Sequence, residues 1–374
     1  MHDITLILLA AGQSSRFALP TKKQWLYQGD RPLWQKVTDD FTEAFDFARV
    51  IVVAGREELA YMRLFADHTF VAGGNSRQAS LRNALTEVTT PYVLVNDIAR
   101  CCLDTEMIRR VLDARDQAAC IVPALPVNDT LYLDERPIDR DRARLIQTPQ
   151  LSRTEILQRA LESGEEFTDE SSAIVALGEP IRFVDGSTRA HKLTRIDDLP
   201  RMACLQPPRP VQLTGYGLDI HPFEEGKEMK LCGITIDSPF GFKAHSDGDV
   251  AIHALIDALL GAAGLGDIGE LFPDTDAAYA GADSAALLRE VVTRVRAVGF
   301  ALIGCDITIL AQTPRLLPYK EAMRASIATL TGLPQHRVNL KATTAEKLGF
   351  VGRKEGVTVH AVATLEYYDW KKDL

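Results

Sequence analysis

The sequence predicts an α/β doubly wound, mostly parallel sheet over residues 1–203 and a separate α+β domain, a sheet packed on helices, over residues 212–374. Three observations carry that expectation. Up to about residue 185, short β-branched apolar runs alternate with longer amphipathic stretches, the pattern of strand and helix in turn. Residues 204–211 then place Pro207, Pro208 and Pro210 within four positions, a stiff segment that cannot pair inside a sheet and reads as a linker. At 374 residues, the chain also exceeds what one hydrophobic core ordinarily organises.

The elements follow in order. "ITLILLAAG", "ARVIVVAG", "HTFVAGG", "YVLVND" and "ACIVPALPV" are too uniformly apolar for a sheet with one wet face and read as buried strands. Between them, "RPLWQKVTDDFTEAFDF", "REELAYMRLFADH", "SRQASLRNALTEV" and "DTEMIRRVLDARDQ" carry helical periodicity. Beyond the prolines, "QLTGYGLDI" and "MKLCGITI" read as strands, and "SDGDVAIHALIDALLGAAG" and "DSAALLREVVTRVRAVG" as helices. Strand "CDITILAQ", helix "YKEAMRASIATLTG" and strands "RVNLKATT" and "GVTVHAVATLEYY" complete the second domain.

Composition narrows the function classes. With 46% hydrophobic and 25% charged residues the chain is of the soluble globular type. No apolar run is long enough to span a membrane, and "MHDITLILLAAGQSSR" lacks the basic leader and cleavage site of a signal peptide, so a cytoplasmic location is expected. The six cysteines form no C-x-x-C pair and read as reduced thiols. A net charge of −9 argues against a nucleic-acid partner but leaves room for small phosphorylated substrates, which need only a local cationic pocket.

The first strand ends in Ala10, Ala11 and Gly12, small residues that let backbone N–H groups approach a phosphate, and the loop after it adds Arg16, Lys22 and Lys23. Neither a Walker loop nor a dinucleotide fingerprint is present. Later strand ends contribute Gly73, Gly74, Arg77 and Ser80, then Asp97 and Arg100, then Asp129 and Thr130, with Arg140, Thr148 and Lys192 further on. Each alone reads equally as a solvated turn. Together they lie at the carboxyl ends of strands, where a doubly wound sheet keeps its ligand.

The stretches "LLAAGQSSRF…PTKKQ", "GGNSRQAS", "VNDIAR", "IQTPQ" and "HKLTR" resemble 2-C-methyl-D-erythritol 4-phosphate cytidylyltransferase of the non-mevalonate isoprenoid pathway, over residues 3 to about 203. The resemblance implies transfer of CMP from CTP to the sugar-alcohol phosphate, with Mg²⁺ or Mn²⁺ on the phosphates. It places Arg16 and Lys23 on the triphosphate, with Ala10, Ala11, Gly12, Gly74 and Ser80 around the nucleotide. Asp97, Arg100 and Thr130 would line the junction of the two substrates. Arg140 and Lys192 would grip the methylerythritol phosphate, with Thr148 nearby. Departures are the missing glycine two residues after Gly12, and Asn96 where many relatives carry His.

In the second domain, "TGYGLDIHPF" sets Asp219 and His221 two residues apart, on one face of an extended strand. A lone D-x-H is more often a solvated strand end than half a metal site. Asp249, His253 and Asp257, spaced by four, stack along one helical face. Asp219, His221 and His253 would make a two-histidine, one-carboxylate set with an open fourth position, the pattern of a catalytic Zn²⁺. Asp257 is placed to orient His253 through its second ring nitrogen.

The loops "GDIGELFPDTD", "AQTPRLLP" and "KATTAEKLGFVGRKEG" read as a phosphate and nucleotide pocket. With the preceding motifs they resemble 2-C-methyl-D-erythritol 2,4-cyclodiphosphate synthase across about 212 to 372. The resemblance implies Zn²⁺ on Asp219, His221 and His253, and a second divalent ion on Glu346. His245 and Ser246 would meet the methylerythritol part and Asp267 its hydroxyls, with Gly269 and Asp274 binding substrate from the same turn-rich loop as Asp267. Ala311, Leu317, Thr343, Thr344, Phe350 and Arg353 would surround the cytidine and phosphates, with Thr344 taking part in the reaction. Ala345 and Arg315 depart mildly from the family pattern. The reaction implied is attack of the 2-phosphate on the β-phosphorus of 4-CDP-2-C-methyl-D-erythritol 2-phosphate, closing a ring and releasing CMP.

The two reactions are not consecutive: a kinase must add the 2-phosphate between them. Nothing in the chain resembles it, and contact with it is left open. The family resemblance implies a homo-oligomer, a trimer or a hexamer. Two rival readings are a different nucleotidyltransferase fused to a metal-dependent phosphohydrolase, and a scaffold with one decayed domain.

Overall fold

A computed structural model of the chain describes residues 2–273, 275–276 and 281–373. It divides into two compact units: residues up to Pro207 together with the stretch from Trp370 onward, and Pro208–Asp369.

The first unit is built on strands β1 (Ile4–Leu9), β2 (Arg49–Ala54), β3 (Thr69–Ala72), β4 (Tyr92–Asp97), β5 (Cys120–Pro126), β6 (Arg144–Ile146), β7 (Gln150–Arg153) and β8 (Ile181–Asp185). Their order is β6-β5-β7-β4-β1-β2-β3, with β8 paired to β5. β1 runs parallel to β2 and β4, β2 to β3, and β5 to β8; β6 and β7 are antiparallel to their neighbours. Helices α1 (Leu33–Ala44), α2 (Arg77–Leu85), α3 (Thr105–Asp113), α4 (Thr154–Leu161) and α5 (Glu170–Ala176) accompany the sheet. On one face Ile7, Ile51, Val53 and Val95 pack with Leu81, Leu85, Leu157 and Ile174 from α2, α4 and α5. The oppositely directed Leu6, Leu8, Val52 and Leu94 are buried as well. Both faces are therefore dry, which is why these strands read as continuous apolar runs.

The second unit orders its main sheet β10-β9-β13-β11-β12, from β9 (Leu213–Glu225), β10 (Phe240–Phe242), β11 (Phe300–Leu310), β12 (Val338–Thr343) and β13 (Gly356–Tyr367). β11 and β12 are parallel and the other pairs antiparallel. Helices α6 (Val250–Ala263), α7 (Ser284–Ala297) and α8 (Lys320–Thr331) pack with it. In α6, Ile252, Leu255, Ile256, Leu259 and Leu260 are fully buried, each stabilising the fold by about 1.5–3 kcal/mol.

The contact of β9 with α6 is unusually close. A Cβ on Gly217 would lie 1.9 Å from the Ala254 carbonyl oxygen, and one on Gly215 would lie 2.0 Å from that of Ala258. No side chain fits there. The strand lies directly on helix backbone, and Asp219 and His221, which continue the same face, point toward α6.

Four expectations differ from the structure. "REELAYMRLFADH" forms only the turn Arg56–Glu58 and the single-turn helix Leu59–Met62; Tyr61 and Phe65 are drawn onto Trp25, so aromatic packing rather than a long helix buries the apolar positions. "MKLCGITI" is a hairpin, Met229–Leu231 with Ile234–Ile236, because Cys232 and Gly233 turn with positive φ and donate their backbone N–H groups to the buried Asp249. Cys102 and Cys204 form a disulfide across 102 residues, a separation that no local spacing rule reveals. The other four cysteines are free and buried.

The domain limits differ too. The expected linker at 204–211 is partly structural, since the Gln206 N–H donates to Gln28 and the Pro207 carbonyl accepts from Gly29. At the chain's end, Trp370 is buried in the first unit and donates its indole N–H to the Tyr27 carbonyl at 3.0 Å.

Gly217→Ala is expected to destabilise the second unit by about 1–3 kcal/mol or more through overpacking. All three tryptophans, Trp25, Trp34 and Trp370, are buried in the first unit. Calorimetry should therefore show a lowered transition while the tryptophan fluorescence melt keeps its midpoint. Trp370→Ala should do the reverse, lowering the urea midpoint seen by Trp25 and Trp34 by a change of about 3–5 kcal/mol; an unmoved midpoint would mean that the tail does not belong to the first fold.

Candidate active sites

At the carboxyl ends of β1, β3 and β4 the first unit has a cleft of about 620 Å³. Its lining includes Ala11, Gly12, Arg16, Lys23, Gly74, Ser80, Asp97 and Lys192. Gly73 and Gly74 lie so close to Ala11 and Ala79 that a Cβ on either would meet those methyls at 2.4 and 2.6 Å. The Gly74 N–H donates to Ser80 Oγ at 3.0 Å. Ala10 departs from expectation: it is buried and its N–H is spent on the Val53 carbonyl, so it cannot face a phosphate.

Charge is concentrated here. Lys23 Nζ donates to the Leu193 carbonyl, and burial, with Lys192 and Arg16 nearby, lowers its ammonium below the ordinary lysine range. Asp97 is the counterweight. Its Oδ2 accepts from Lys192 Nζ at 2.6 Å and its Oδ1 from Arg77 Nε at 2.9 Å. Burial pushes the Asp97 carboxyl up, but Arg77 and Lys192 together hold it down to about 2. The Thr148 hydroxyl accepts from the Asp97 N–H and donates to Asn96 Oδ1.

Arg100 and Lys192 also line an adjoining cleft of about 550 Å³, and with Thr148 and Asp97 a third of about 470 Å³. Arg100 donates to the Ala190 and Ile146 carbonyls. Thr130 and Arg140 do not join them. Both are exposed, next to the hairpin Leu131–Leu133 with Arg136–Ile138, and Arg140 donates to the Asn128 carbonyl. Lys22 turns away to Glu57 and Glu58. Sequence reasoning missed Glu170, a fully buried carboxylate paired with Arg77. Its place at the start of a polar-looking helix gave no sign of burial.

In the second unit Asp219 Oδ2 stands 3.1 Å from His221 Nε2 and 3.2 Å from His253 Nδ1. One ligand atom from each lies within 4.8 Å of the others. The remaining ring nitrogens face other partners: His221 Nδ1 the Gly248 carbonyl, and His253 Nε2 the Ser284 and Ser246 hydroxyls. Burial opposes ionisation of Asp219, yet the two histidines hold its carboxyl well below the ordinary range. Two imidazole nitrogens and a carboxylate oxygen converging with their second nitrogens engaged suit a divalent metal of the zinc type.

Asp257 does not orient His253. Its carboxylate accepts from the Ile268 N–H at 2.9 Å, and Ser284, itself bonded to Asp247, takes that place. Asp249 caps α6. His245, Ser246 and Gly269 line the cleft of about 360 Å³ around the triad. Asp267 caps the short helix Ile268–Leu271 instead, and Asp274 lies outside the described residues.

The expected nucleotide residues gather elsewhere, since none of them lines the triad's cleft. The Ala311 N–H, just past β11, donates to the carbonyl of Thr343 at the end of β12. The Thr344 hydroxyl donates to Glu346 at 2.8 Å, and Arg353 pairs with Glu355. Leu317 and Phe350 are exposed.

Residues 4–205 match the family described as 2-C-methyl-D-erythritol 4-phosphate cytidylyltransferase, and residues 213–366 match the YgbB family. The bifunctional enzyme IspD/IspF of Sulfurovum sp. (strain NBC37-1) is 61% identical over 372 residues, covering 100% of both chains. That of Sulfurimonas denitrificans is 53% identical, covering 100% of this chain and 96% of the other. The structure of the bifunctional IspDF from Campylobacter jejuni is similar with a TM-score of 0.91 at 44% identity, covering 99% of this chain and 100% of that one. With two separate sites on two folds and this likeness along its whole length, the chain belongs to the bifunctional IspD/IspF family, joining a cytidylyltransferase and a cyclodiphosphate synthase of isoprenoid-precursor synthesis in one polypeptide.

Proposed function

We propose that the cleft at β1, β3 and β4 holds CTP and that the adjoining clefts around Arg100, Thr148 and Lys192 hold 2-C-methyl-D-erythritol 4-phosphate. A phosphate oxygen of the acceptor attacks the α-phosphorus and pyrophosphate leaves. The nucleophile is already anionic, so no general base is needed; the site supplies alignment and positive charge. Arg16 and Lys23 meet the triphosphate, and Lys192, directed by Asp97, meets the acceptor. Mg²⁺ or Mn²⁺ bound with the phosphates would add counter-charge.

In the second unit Asp219, His221 and His253 would hold Zn²⁺, and Glu346 a second divalent ion with the diphosphate. One exposed carboxylate suffices for such an ion when substrate phosphates complete its shell. When bound, the ions supply positive charge that draws the phosphates together and polarises the β-phosphorus. His245, Ser246 and Gly269 would orient the methylerythritol part. The observation that carries this reading is the convergence of Asp219 and His221 from a strand with His253 from a helix, 32 or more residues apart in sequence.

We also read the assembly as a homotrimer or a pair of trimers. Among the described residues the expected cytidine loops do not line the cleft of the Asp219–His221–His253 triad, so a neighbouring copy would complete the site. Tyr216, Leu218 and Ile220 on the outward face of β9 are 58%, 45% and 48% exposed, an apolar row suited to burial between copies. Tyr132, Leu133, Ile138 and Leu145 give the first unit a second such patch around Thr130 and Arg140. Sedimentation showing only monomer would overturn the assembly. A cytoplasmic location goes with the phosphorylated substrates; the Cys102–Cys204 bridge speaks for an oxidising setting, and thiol trapping in fresh lysate decides between them.

Lys23→Ala should lower kcat for cytidylyl transfer by about 10²–10³-fold and leave cyclisation by the same protein unchanged. His253→Ala should lose zinc, measured by metal analysis after dialysis, together with cyclisation, while cytidylyl transfer persists. Loss of zinc with cyclisation intact would refute a catalytic role for the metal. Pyrophosphate release with other sugar phosphates but not with the methylerythritol phosphate would refute the acceptor assignment.

A further inference from the structure

Glu170 is a charged side chain with no exposure, far in sequence from every cleft residue it serves. It opens α5, and its two oxygens accept from Arg77 Nη1 at 2.7 Å and Nη2 at 3.3 Å. Arg77 opens α2 and uses its remaining edge, Nε, on Asp97 Oδ1. Asp97 then offers its second oxygen to Lys192. The four charges alternate in sign from the interior outward, ending on Lys192, which lines each of the three clefts described above.

The rigid guanidinium fork matters here. A bidentate carboxylate fixes the plane of Arg77, and that plane fixes where Nε points. Asp97 thus has one oxygen committed and one left for Lys192. Burial pushes the Glu170 carboxyl up, and its pairing with Arg77 opposes that push. Without Arg77, both oxygens of Asp97 would be open to Lys192, and the ammonium would be pulled inward, away from a substrate phosphate.

We propose that Arg77 and Glu170 are positioning residues of the cytidylyltransferase site, setting through Asp97 the place of the Lys192 ammonium that receives the acceptor phosphate. The inference rests on the reading above of Lys192 as a substrate contact. Glu170 lines none of these clefts and reaches them only through Arg77, which lines the first and third with its two edges engaged by Glu170 and Asp97. The competing possibility is a purely structural pair that ties α2 to α5.

A double substitution separates the two. Removing one partner of a buried ion pair strands the other charge, whereas replacing both by apolar residues of similar size is often neutral for stability. The full-length R77M/E170M protein should keep the parental urea midpoint of tryptophan fluorescence and the parental cyclisation rate. Its kcat/KM for the methylerythritol phosphate should fall by about 10–100-fold, carried mainly by KM, as expected when a phosphate-binding charge is displaced by an ångström or so. Parental kcat/KM in the double variant would overturn the proposal. Should that variant unfold, the isosteric E170Q decides: a fall in kcat/KM at an unchanged urea midpoint supports the relay, and a parental kcat/KM overturns it. Lys192→Met is the control on the underlying reading. If it transfers CMP like the parent, the site assignment fails; if it is impaired while R77M/E170M is not, only the relay fails.

Discussion

The second catalytic unit depends on a place where two side chains are missing. Gly215 and Gly217 let β9 rest on the backbone of α6, with carbonyl oxygens where Cβ atoms would otherwise be. Because side chains alternate along a strand, the face that begins with the two glycines continues with Asp219 and His221. The helix it rests on carries His253. The convergence of Asp219, His221 and His253 is thus a consequence of close packing, and the opposite face of the strand, Tyr216, Leu218 and Ile220, is left outward as an apolar row. The helix is anchored in turn by Asp249, which caps its first turn and accepts the N–H groups of Cys232 and Gly233 from the neighbouring hairpin.

The two units solve one chemical problem with different materials. In each reaction the nucleophile is a phosphate that needs no deprotonation, and the difficulty is to gather several negative charges around one phosphorus atom. The first unit gathers side-chain cations at strand ends, paired with buried carboxylates. The second offers ligands for metal ions. Asp97 and Asp219 suit that task, since Arg77 and Lys192 in the one case and two histidines in the other favour their ionised forms.

Both units also leave functional groups at their edges. Thr130 and Arg140 lie on an exposed hairpin arm with apolar residues around them, and Thr344 and Glu346 lie on loops apart from the triad. Exposed polar groups beside exposed apolar surface are what the association proposed above would cover.

The sequence by itself determined the strand–helix alternation of the first unit, because dry faces on both sides demand uninterrupted apolar strands. It also determined which polar residues stand at the strand ends, the placing of Asp219 and His221 on one strand face and the helix that carries His253, because these follow from local periodicity. Tertiary structure alone decided the rest. The Cys102–Cys204 bridge, the return of Trp370 to the first unit and the burial of Glu170 against Arg77 join residues far apart in the chain, where no spacing rule operates. The second nitrogen of His253 went to Ser284 rather than to Asp257 for a related reason: helical spacing placed Asp257 on the correct face, but an adjacent backbone N–H, that of Ile268, claimed its carboxylate first. Periodicity fixes the face on which a side chain stands, and only packing fixes the partner it meets there.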